Sequence, residues 1–340
     1  MPKLTIKEIA KIAGVSPSAV SIVLNNKTGV SEETRKKVSE IVERLQYIPN
    51  QNSRRLLFNK SNNIAVLFKK NASPLEHLFY SELNSVILHE CESLNYNLIF
   101  TSVSVEGKNV ILPGVIRSYD VDGVILYGDV DIQIINALKK FDLPFVIVDS
   151  HYIIDDTLNV YADYMVAAYT AASHLLELGH KSIAYIGNST QSHFSAQTFS
   201  GYKKAIEECK LAIPMHWIQF TADDEETAYS CMTNILSSDM YPTAVFCAAD
   251  IYAIGAVKCI RDKGFTIPQD ISVIGIDDII LSKYIAPPLT TVKIDKVEMG
   301  KIAMELLVKQ MEDPSLVLEN KSINSFSIVE RSTVKALSSN

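Results

Sequence analysis

Residues 5–50 read TIKEIAKIAGVSPSAVSIVLNNKTGVSEETRKKVSEIVERLQYIPN, and their pattern predicts three short helices. Thr5 and the glutamate three residues later have the spacing of a capping box, and Gly14 is a typical residue just past a helix end. Ser16 is placed to cap a second helix and Ser31 a third, each before apolar residues at helical spacing. Two helices joined by a tight turn and packed by a third form a helix-turn-helix.

The second predicted helix has the surface best suited to DNA. If its valines face inward, the outward face is small and polar, which lets the helix lie close to base edges in a major groove. The residues of that face are Pro17, Ser18, Ser21, Ile22 and Asn25. The pattern by itself leaves open a solvated three-helix bundle that binds nothing.

The charge of the chain is distributed unevenly. The 340 residues carry a formal net charge of −7. Residues 1–60 contain 11 Lys and Arg against 5 Glu, a net charge of +6, which leaves −13 for the remainder. A basic head on an acidic body is the distribution expected if the head alone meets phosphate.

After residue 62 the sequence pattern changes to short β-branched runs separated by amphipathic helical stretches. The runs are NIAVLF (63–68), NLIFTS (97–102), GVILYG (123–128), PFVIVD (144–149), LNVYAD (158–163), SIAYIG (182–187), TAVFCA (243–248) and ISVIGI (271–276). Apolar strands with intervening helices predict parallel sheets covered on both faces, and this many strands predict two sheets. We therefore expect an all-α head followed by an α/β core of two doubly wound parallel-sheet subdomains, with a ligand cleft at the strands' carboxyl ends.

Several protein classes are excluded by what the sequence lacks. No run of about 18 apolar residues and no secretory signal pattern is present, so we expect a cytoplasmic protein. The five cysteines are scattered and form no C-x-x-C pair, which favours neither a zinc site nor a disulfide framework. No nucleophile elbow, Walker A or G-x-G-x-x-G motif occurs, so we expect no enzyme, no metal and no cofactor.

Residues 5–50 closely resemble the DNA-binding head of the lactose-repressor/galactose-repressor (LacI/GalR) family of bacterial transcription regulators. The resemblance covers essentially the whole chain. Its further marks are NSRRLL (52–57), VDGVIL (121–126), HLLELGHKSIAYIG (174–187), DIYAIGAVKCIRDKGFTIPQDISVIGIDD (250–278) and PPLTTVKID (287–295). It implies a regulator, most often a repressor, that binds a pseudo-palindromic operator as a homodimer and whose periplasmic-binding-protein-like core senses a small-molecule effector.

The resemblance also implies domain limits and DNA contacts. The expected domains are a head at 1–48, a hinge helix or linker at 49–61, an N-terminal subdomain at 62–160 with 293–322, and a C-terminal subdomain at 161–292 with 323–340. Family positions matching Pro17, Ser18 and Ile22 read bases. Those matching Thr5, Ser16, Ser21, Asn25 and Thr28 mostly hold the backbone. Asn50, which follows Pro49, is expected from the sequence to cap a short hinge helix. Leu56 matches a family leucine that wedges into the minor groove.

The expected effector site is less regular. Phe79 and Tyr80 match positions that border the ligand, and Asp149 and Asp277 are expected to face the cleft, where carboxylates beside an aromatic face suit a sugar. At two further effector positions this chain departs from the family. Thr198 stands in place of the cleft arginine and Ala249 in place of an asparagine, which weakens the case for an anionic effector.

Three alternatives remain open from the sequence. Asp277 with Asp278 could be a helix-cap cluster, and the acidic run at 223–226 could be a metal site, although a helix N-terminus explains it better. The altered cleft allows control by a protein partner that docks on the core in place of a small ligand. A stand-alone solute-binding protein would need a signal peptide and no head, and the sequence has neither property.

Overall fold

A computed structural model describes residues 4–24, 27–45, 47, 60–70, 73–107, 109–189, 191–220, 222, 224–238 and 240–337. They form two compact units, residues 1–62 with 118–122, and residues 63–117 with 123–340. Residues 49–59 of the expected hinge segment, with Asn50 and Leu56, and also Asn25 lie outside the described residues.

The head contains three helices, α1 (Ile6–Ala13), α2 (Pro17–Leu24) and α3 (Glu32–Arg44). All three caps follow the sequence prediction. Thr5 and Glu8 form the capping box, Gly14 ends α1 in the left-handed conformation at φ 64°, and the Ser16 hydroxyl accepts a hydrogen bond from the amide of Ala19 at 3.1 Å. The helices bury a small apolar core whose members are Ile9, Ala10, Ala13, Val20, Val23, Val38, Ile41 and Tyr47.

The second unit is an α/β core with two sheets. The first sheet has the order β12-β6-β5-β4-β1-β2-β3. Its strands are β1 (Asn63–Lys69), β2 (Asn97–Glu106), β3 (Asn109–Ile111), β4 (Gly123–Tyr127), β5 (Phe145–Val148), β6 (Asn159–Ala162) and β12 (Lys321–Ile323). The helices that lie between these strands in the sequence are α4 (Leu78–Ser93), α5 (Gly114–Arg117), α6 (Ile132–Lys139) and, before β12, α11 (Lys296–Glu312). Helix α11 packs on both α4 and the sheet.

The second sheet has the order β13-β11-β10-β9-β7-β8. Its strands are β7 (Ile183–Ile186), β8 (Ile218–Gln219), β9 (Ala244–Cys247), β10 (Ser272–Asp277), β11 (Thr290–Lys293) and β13 (Ser327–Val329). Its helices are α7 (Tyr164–Glu177), α8 (His193–Glu208), α9 (Glu225–Ile235) and α10 (Asp250–Asp262), paired as α7 with α8 and α9 with α10.

The expected architecture of two parallel-sheet subdomains is confirmed, with one addition. The central strands of both sheets are parallel and nearly fully buried, as their continuous apolar runs predict. Two edge strands, β3 and β13, run antiparallel to β2 and β11. The chain crosses between the sheets three times, after β6, after β11 and after β12, so each subdomain is assembled from separate stretches of sequence.

Candidate functional site: a helix surface and an inter-subdomain cavity

Helix α2 presents the surface predicted to read DNA. Val20 and Val23 are buried, while Pro17 and Ser18 are exposed and Ile22 is half-buried on the outer side. The remaining described residues of the predicted DNA-contact set are Thr5, Ser16 and Thr28, all exposed, and the half-buried Ser21. The structure therefore leaves a face of small side chains open on a helix whose first turn carries no acidic residue to repel phosphate.

The turn that follows α2 is held by a basic side chain. The guanidinium of Arg35 donates a hydrogen bond to the carbonyl of Lys27 at 2.5 Å and lies 4.0 Å from the carboxylate of Glu32. This geometry gives Arg35 a structural role, because it holds the turn against the first part of α3.

A cavity of about 650 Å³ opens between the two sheets of the core. Its walls come from loops that follow β1, β4, β5, β7, β9 and β10, which are the carboxyl ends where ligands bind in open parallel sheets. Four of the predicted effector residues, Phe79, Tyr80, Asp149 and Asp277, line it, and so does Ala249. Their assignment as effector contacts stays a prediction.

Asp149 lies at the end of β5 and is hydrogen bonded by two tyrosines. Tyr80 donates its hydroxyl to one carboxylate oxygen at 3.0 Å, and Tyr164 donates to the other at 2.8 Å. Asp149 has φ 63° and is 4% exposed, so the strand end turns its carboxylate into the protein. Burial raises the pKa of Asp149, although the tyrosine hydroxyls and His151 oppose that shift. Tyr164 begins α7, so one of these bonds joins the two subdomains.

Asp277 ends β10 and lies on the opposite wall of the cavity. It is 7% exposed, and its φ of 119° is one that side-chain-bearing residues rarely adopt. Burial and the nearby negative charge of Asp250 raise the pKa of Asp277 well above its usual range, and the cation of Lys296 only partly opposes them. The ammonium of Lys296 donates to the main-chain oxygen of Asp277 at 2.5 Å.

The predicted alternative of a helix-cap cluster does not describe Asp278, and for Asp277 it stays open. Asp278 forms an ion pair with Arg331, whose guanidinium donates to its carboxylate. Asp277 lines the cavity, and a main-chain hydrogen bond from Asp250, the first residue of α10, opposes the rise in the pKa of its carboxyl. The acidic run at 223–226 does cap a helix, because Asp224 accepts the amide of Thr227 at 2.8 Å at the start of α9. Within the described residues, no group of His, Cys, Asp or Glu side chains could hold a metal ion.

Asp250, which follows Ala249, is hydrogen bonded to the loop after β10 and to β11. Its carboxylate accepts hydrogen bonds from the amide of Ile279 at 3.0 Å and from the hydroxyls of Ser282 and Thr291 at 2.6 and 2.5 Å. Burial raises its pKa to about 7. Since all these partners belong to the loop after β10 or to β11, Asp250 positions that loop and is itself outside the cavity lining.

Thr198 is placed differently from the expectation. It is fully buried in α8, where its hydroxyl shares a 2.9 Å hydrogen bond with Tyr185 and donates to the carbonyl of Phe194. It does not line the cavity. A threonine side chain is too short to extend from this position as an arginine does, so its expected contact with an effector is corrected to a packing role.

An aromatic and histidine cluster on the cavity wall was missed by sequence reasoning. His151 bonds Asp129 at 3.2 Å, and its ring lies 5.1–5.2 Å from those of Tyr164 and Phe194. Burial opposes the charged form of His151, yet Asp129 and Asp149 leave its pKa raised. These residues follow different strands, so only strand ends with polar residues, such as GDVD and VDSH, could have indicated them.

Comparison with known proteins gives a consistent result along the chain. A model of the bacterial regulatory proteins of the lacI family matches residues 5–50, and a periplasmic binding protein-like domain matches residues 172–334. The chain is 33% identical to the ribose operon repressor of Haemophilus influenzae over 93% of this chain and 96% of that protein. It is 32% identical to the HTH-type transcriptional repressor PurR of Histophilus somni over 98% and 99%.

Solved structures agree. The lac repressor dimer bound to operator and the anti-inducer ONPF superposes with a TM-score of 0.82 at 26% identity, covering 98% of this chain and 99% of that one. A LacI family regulator from Enterococcus faecium with bound ribose gives a TM-score of 0.70 at 26% identity, covering 81% and 100%. Within the described residues, no helix is long and apolar enough to cross a membrane. With a matched head, a matched core and relatives that are repressors and not enzymes, the chain belongs to the LacI family of DNA-binding transcriptional repressors with a ligand-binding core.

Proposed function

We propose that this repressor binds a pseudo-palindromic operator as a homodimer and that a small molecule in the inter-subdomain cavity controls its affinity for DNA. The observation that carries the proposal is the cavity itself, whose walls are shared between subdomains and contain the buried carboxylates of Asp149 and Asp277. Control by a protein partner would need no such cavity. Because its target is DNA, the protein is proposed to act in the cytoplasm.

The ligand would act by favouring one arrangement of the two subdomains. Asp149 belongs to the N-terminal subdomain and Asp277 to the C-terminal one, so a ligand bonded to both binds one relative arrangement better. Such differential affinity is what a ligand needs in order to shift a conformational equilibrium. We propose the segment 49–61 as the link that passes this shift to the heads at 1–48. We propose 62–160 with 293–322 and 161–292 with 323–340 as the two core subdomains.

Relatives favour a carbohydrate-like ligand and a dimer. They include a ribose operon repressor and a LacI family regulator with bound ribose. The lac repressor of the superposed structure is a dimer on its operator. We propose that Phe79, Tyr80, Asp149, Ala249 and Asp277 border the effector. The DNA contacts proposed are those of α2 and its flanks.

The DNA part is tested by selecting binding sites from random duplexes with the full chain. Two inverted half-sites are expected to be enriched, because each head places one helix in a major groove. Binding should weaken steeply with salt, since each neutralised phosphate releases counterions. Enrichment of single half-sites, or a monomer in light scattering at the concentration that binds DNA, would contradict the dimer.

A matched pair of variants separates the α2 surface from the rest of the head. Ser18 is exposed on α2 and Ser39 is exposed on α3. Ser18→Glu places a carboxylate on the proposed base-reading surface and should weaken operator binding about 100-fold or more, since at least one contact worth ~1–3 kcal/mol is lost and repulsion is added. Ser39→Glu should change it several-fold less. Equal effects would place the DNA surface elsewhere.

A further inference from the structure

The cavity lining has an unbalanced charge. Six acidic side chains border it, Glu76, Asp129, Asp149, Asp224, Glu225 and Asp277. Against them stand two histidines, and among the described lining residues there is no lysine or arginine. A phosphate or carboxylate is bound most strongly by cationic donors, so this lining disfavours an anionic ligand.

Local partners account for only part of that negative charge. Asp129 is paired with His151, and Asp224 caps α9. Asp149 receives hydrogen bonds from two tyrosine hydroxyls, which are neutral donors. Within the described residues, no lysine or arginine forms an ion pair with the carboxylate of Asp149 or Asp277.

The nearest cation is already engaged. The ammonium of Lys296 bonds the main-chain oxygens of Asp277 and Asp278 and lies 3.4 Å from the carboxylate of Glu82. It therefore forms its ion pair with Glu82, and its charge only partly opposes the raised pKa of Asp277. A buried carboxylate without a cation is costly in free energy, and a cation bound beside it removes much of that cost.

The walls favour an organic cation over a metal ion. The described His, Cys, Asp and Glu side chains form no group that could chelate a metal. The rings of Tyr164 and Phe194 meet edge to face at 4.9 Å and both line the cavity, as does Tyr252. Aromatic faces attract ammonium groups, most strongly where water is excluded.

We propose that the ligand of this cavity is a small amine-bearing molecule, such as an amino sugar, whose ammonium binds at the carboxylates of Asp149 and Asp277 beside the aromatic wall. This inference rests on the proposed function of the cavity as an effector site and adds the charge of the effector. A neutral sugar can also bond carboxylates, but it brings no positive charge to two side chains that form no ion pair with a described lysine or arginine. A volume of about 650 Å³ admits a ligand of monosaccharide or disaccharide size.

The test measures binding of matched probes to the full chain by calorimetry. The sets are D-glucosamine with D-glucose and N-acetyl-D-glucosamine, D-galactosamine with D-galactose, and 1,4-diaminobutane with 1,4-butanediol. At least one amine is expected to bind ten-fold or more tightly than each of its neutral counterparts. A neutral probe that binds as tightly as its amine, or a panel in which no amine binds, would overturn the inference.

Isosteric variants locate the ammonium. Asp277→Asn and Asp149→Asn keep the side-chain size and remove one charge each, and each should weaken the amine ten-fold or more and weaken a neutral probe by a smaller factor. Asp262→Asn removes an exposed carboxylate paired with Lys258 and should change neither. Trp217 fluorescence checks that each variant is folded. Equal weakening of amine and neutral probe would contradict a charge-specific site.

Operator binding in the same samples separates the two proposals. An amine that binds but leaves operator affinity unchanged supports the charge inference and refutes the effector role. A neutral sugar that binds more tightly than its amine and alters operator affinity supports the effector role and refutes the charge inference.

Discussion

Replacing Lys296 by methionine should destabilise the core by removing a buried bridge between its subdomains. Lys296 begins α11, which packs on the first sheet, and is 5% exposed. Its ammonium reaches the second subdomain at the carbonyls of Asp277 and Asp278, 2.5 and 3.3 Å away. It also lies 3.4 Å from the carboxylate of Glu82, which in turn accepts the amide of Ile280 at 2.8 Å. One cation thus holds the end of β10 against α4 and α11.

The size of the effect follows from these contacts. A hydrogen bond to a charged group contributes about 1.5–3 kcal/mol, and removing one partner of a buried ion pair costs about 3–5 kcal/mol. The side chain of Glu82 is 34% exposed, so water can partly solvate the charge that the variant leaves behind. Methionine keeps an apolar stem against the ring of Phe79, which lies 5.3 Å from the ammonium. We therefore expect a loss near the lower end, about 3 kcal/mol in the free energy of unfolding.

Urea unfolding followed by the fluorescence of Trp217 measures this loss in the core alone. Trp217 is the only tryptophan of the chain and is buried beside β8, so the head does not contribute to the signal. The control is Lys309→Met on the same helix. Lys309 pairs with Glu305 at 2.5 Å with both side chains about half exposed, and such a pair contributes roughly 0.5 kcal/mol or less. If Lys296→Met costs no more than Lys309→Met, Lys296 does not bridge the subdomains energetically.

Three further changes test other parts of the molecule. Ile22 can pack on a thymine methyl but cannot donate a hydrogen bond to guanine. Selection of binding sites should therefore give an A·T pair at the position that Ile22 contacts, and Ile22→Arg should shift the preference to G·C. A strict G·C preference of the unchanged protein would contradict this prediction. Gly201→Ala places a Cβ 2.2 Å from a main-chain oxygen of α7 and should lower the free energy of unfolding by about 2–3 kcal/mol or more. Its control is Gly114→Ala, whose Cβ meets no atom within 4 Å and which should change the free energy of unfolding by no more than about 0.5 kcal/mol. Burial disfavours the charged form of His151, but the hydrogen bond with Asp129 outweighs it and leaves the pKa of His151 raised. The pairing therefore stabilises the fold fully below the pKa of the unfolded histidine. That stabilisation is lost as the pH rises through the raised pKa of the folded histidine. Asp129→Asn should therefore lower the urea midpoint at pH 5.5 and leave it nearly unchanged at pH 9, and an equal loss at both would exclude the charged pair.

The fold was readable from the sequence wherever its cause was local. Each of the eight β-branched runs contains a strand, and the caps at Thr5, Ser16 and Ser31 mark the head helices, because hydrophobic period and cap chemistry act within a few residues. The runs did not indicate β3, β8, β11, β12 or β13. These strands have two to four residues and are defined by their partners, as when β12 joins β6 from a position 159 residues later in the chain.

The candidate site shows the same division between local and long-range causes. Asp149 and Asp277 could be predicted because both end apolar strands, and carboxyl ends of parallel strands converge on a cleft. The hydrogen bond from Tyr164 to Asp149 and the pairing of His151 with Asp129 arise where loops meet.

Thr198 carries the most informative error, since the resemblance implies an effector contact at its position while its side chain lies in the core. A cleft with Thr198 where the resemblance implies an arginine, and with both aspartates in its lining, is more acidic than the family pattern. That change in charge is more informative about the ligand than the retained aspartates, because carboxylates suit hydroxyls and amines alike, whereas carboxylates without a nearby cation favour the amine. The two aspartates at the strand ends indicated where the site lies. The net charge of the cavity lining is what distinguishes an amine from a neutral sugar as its ligand.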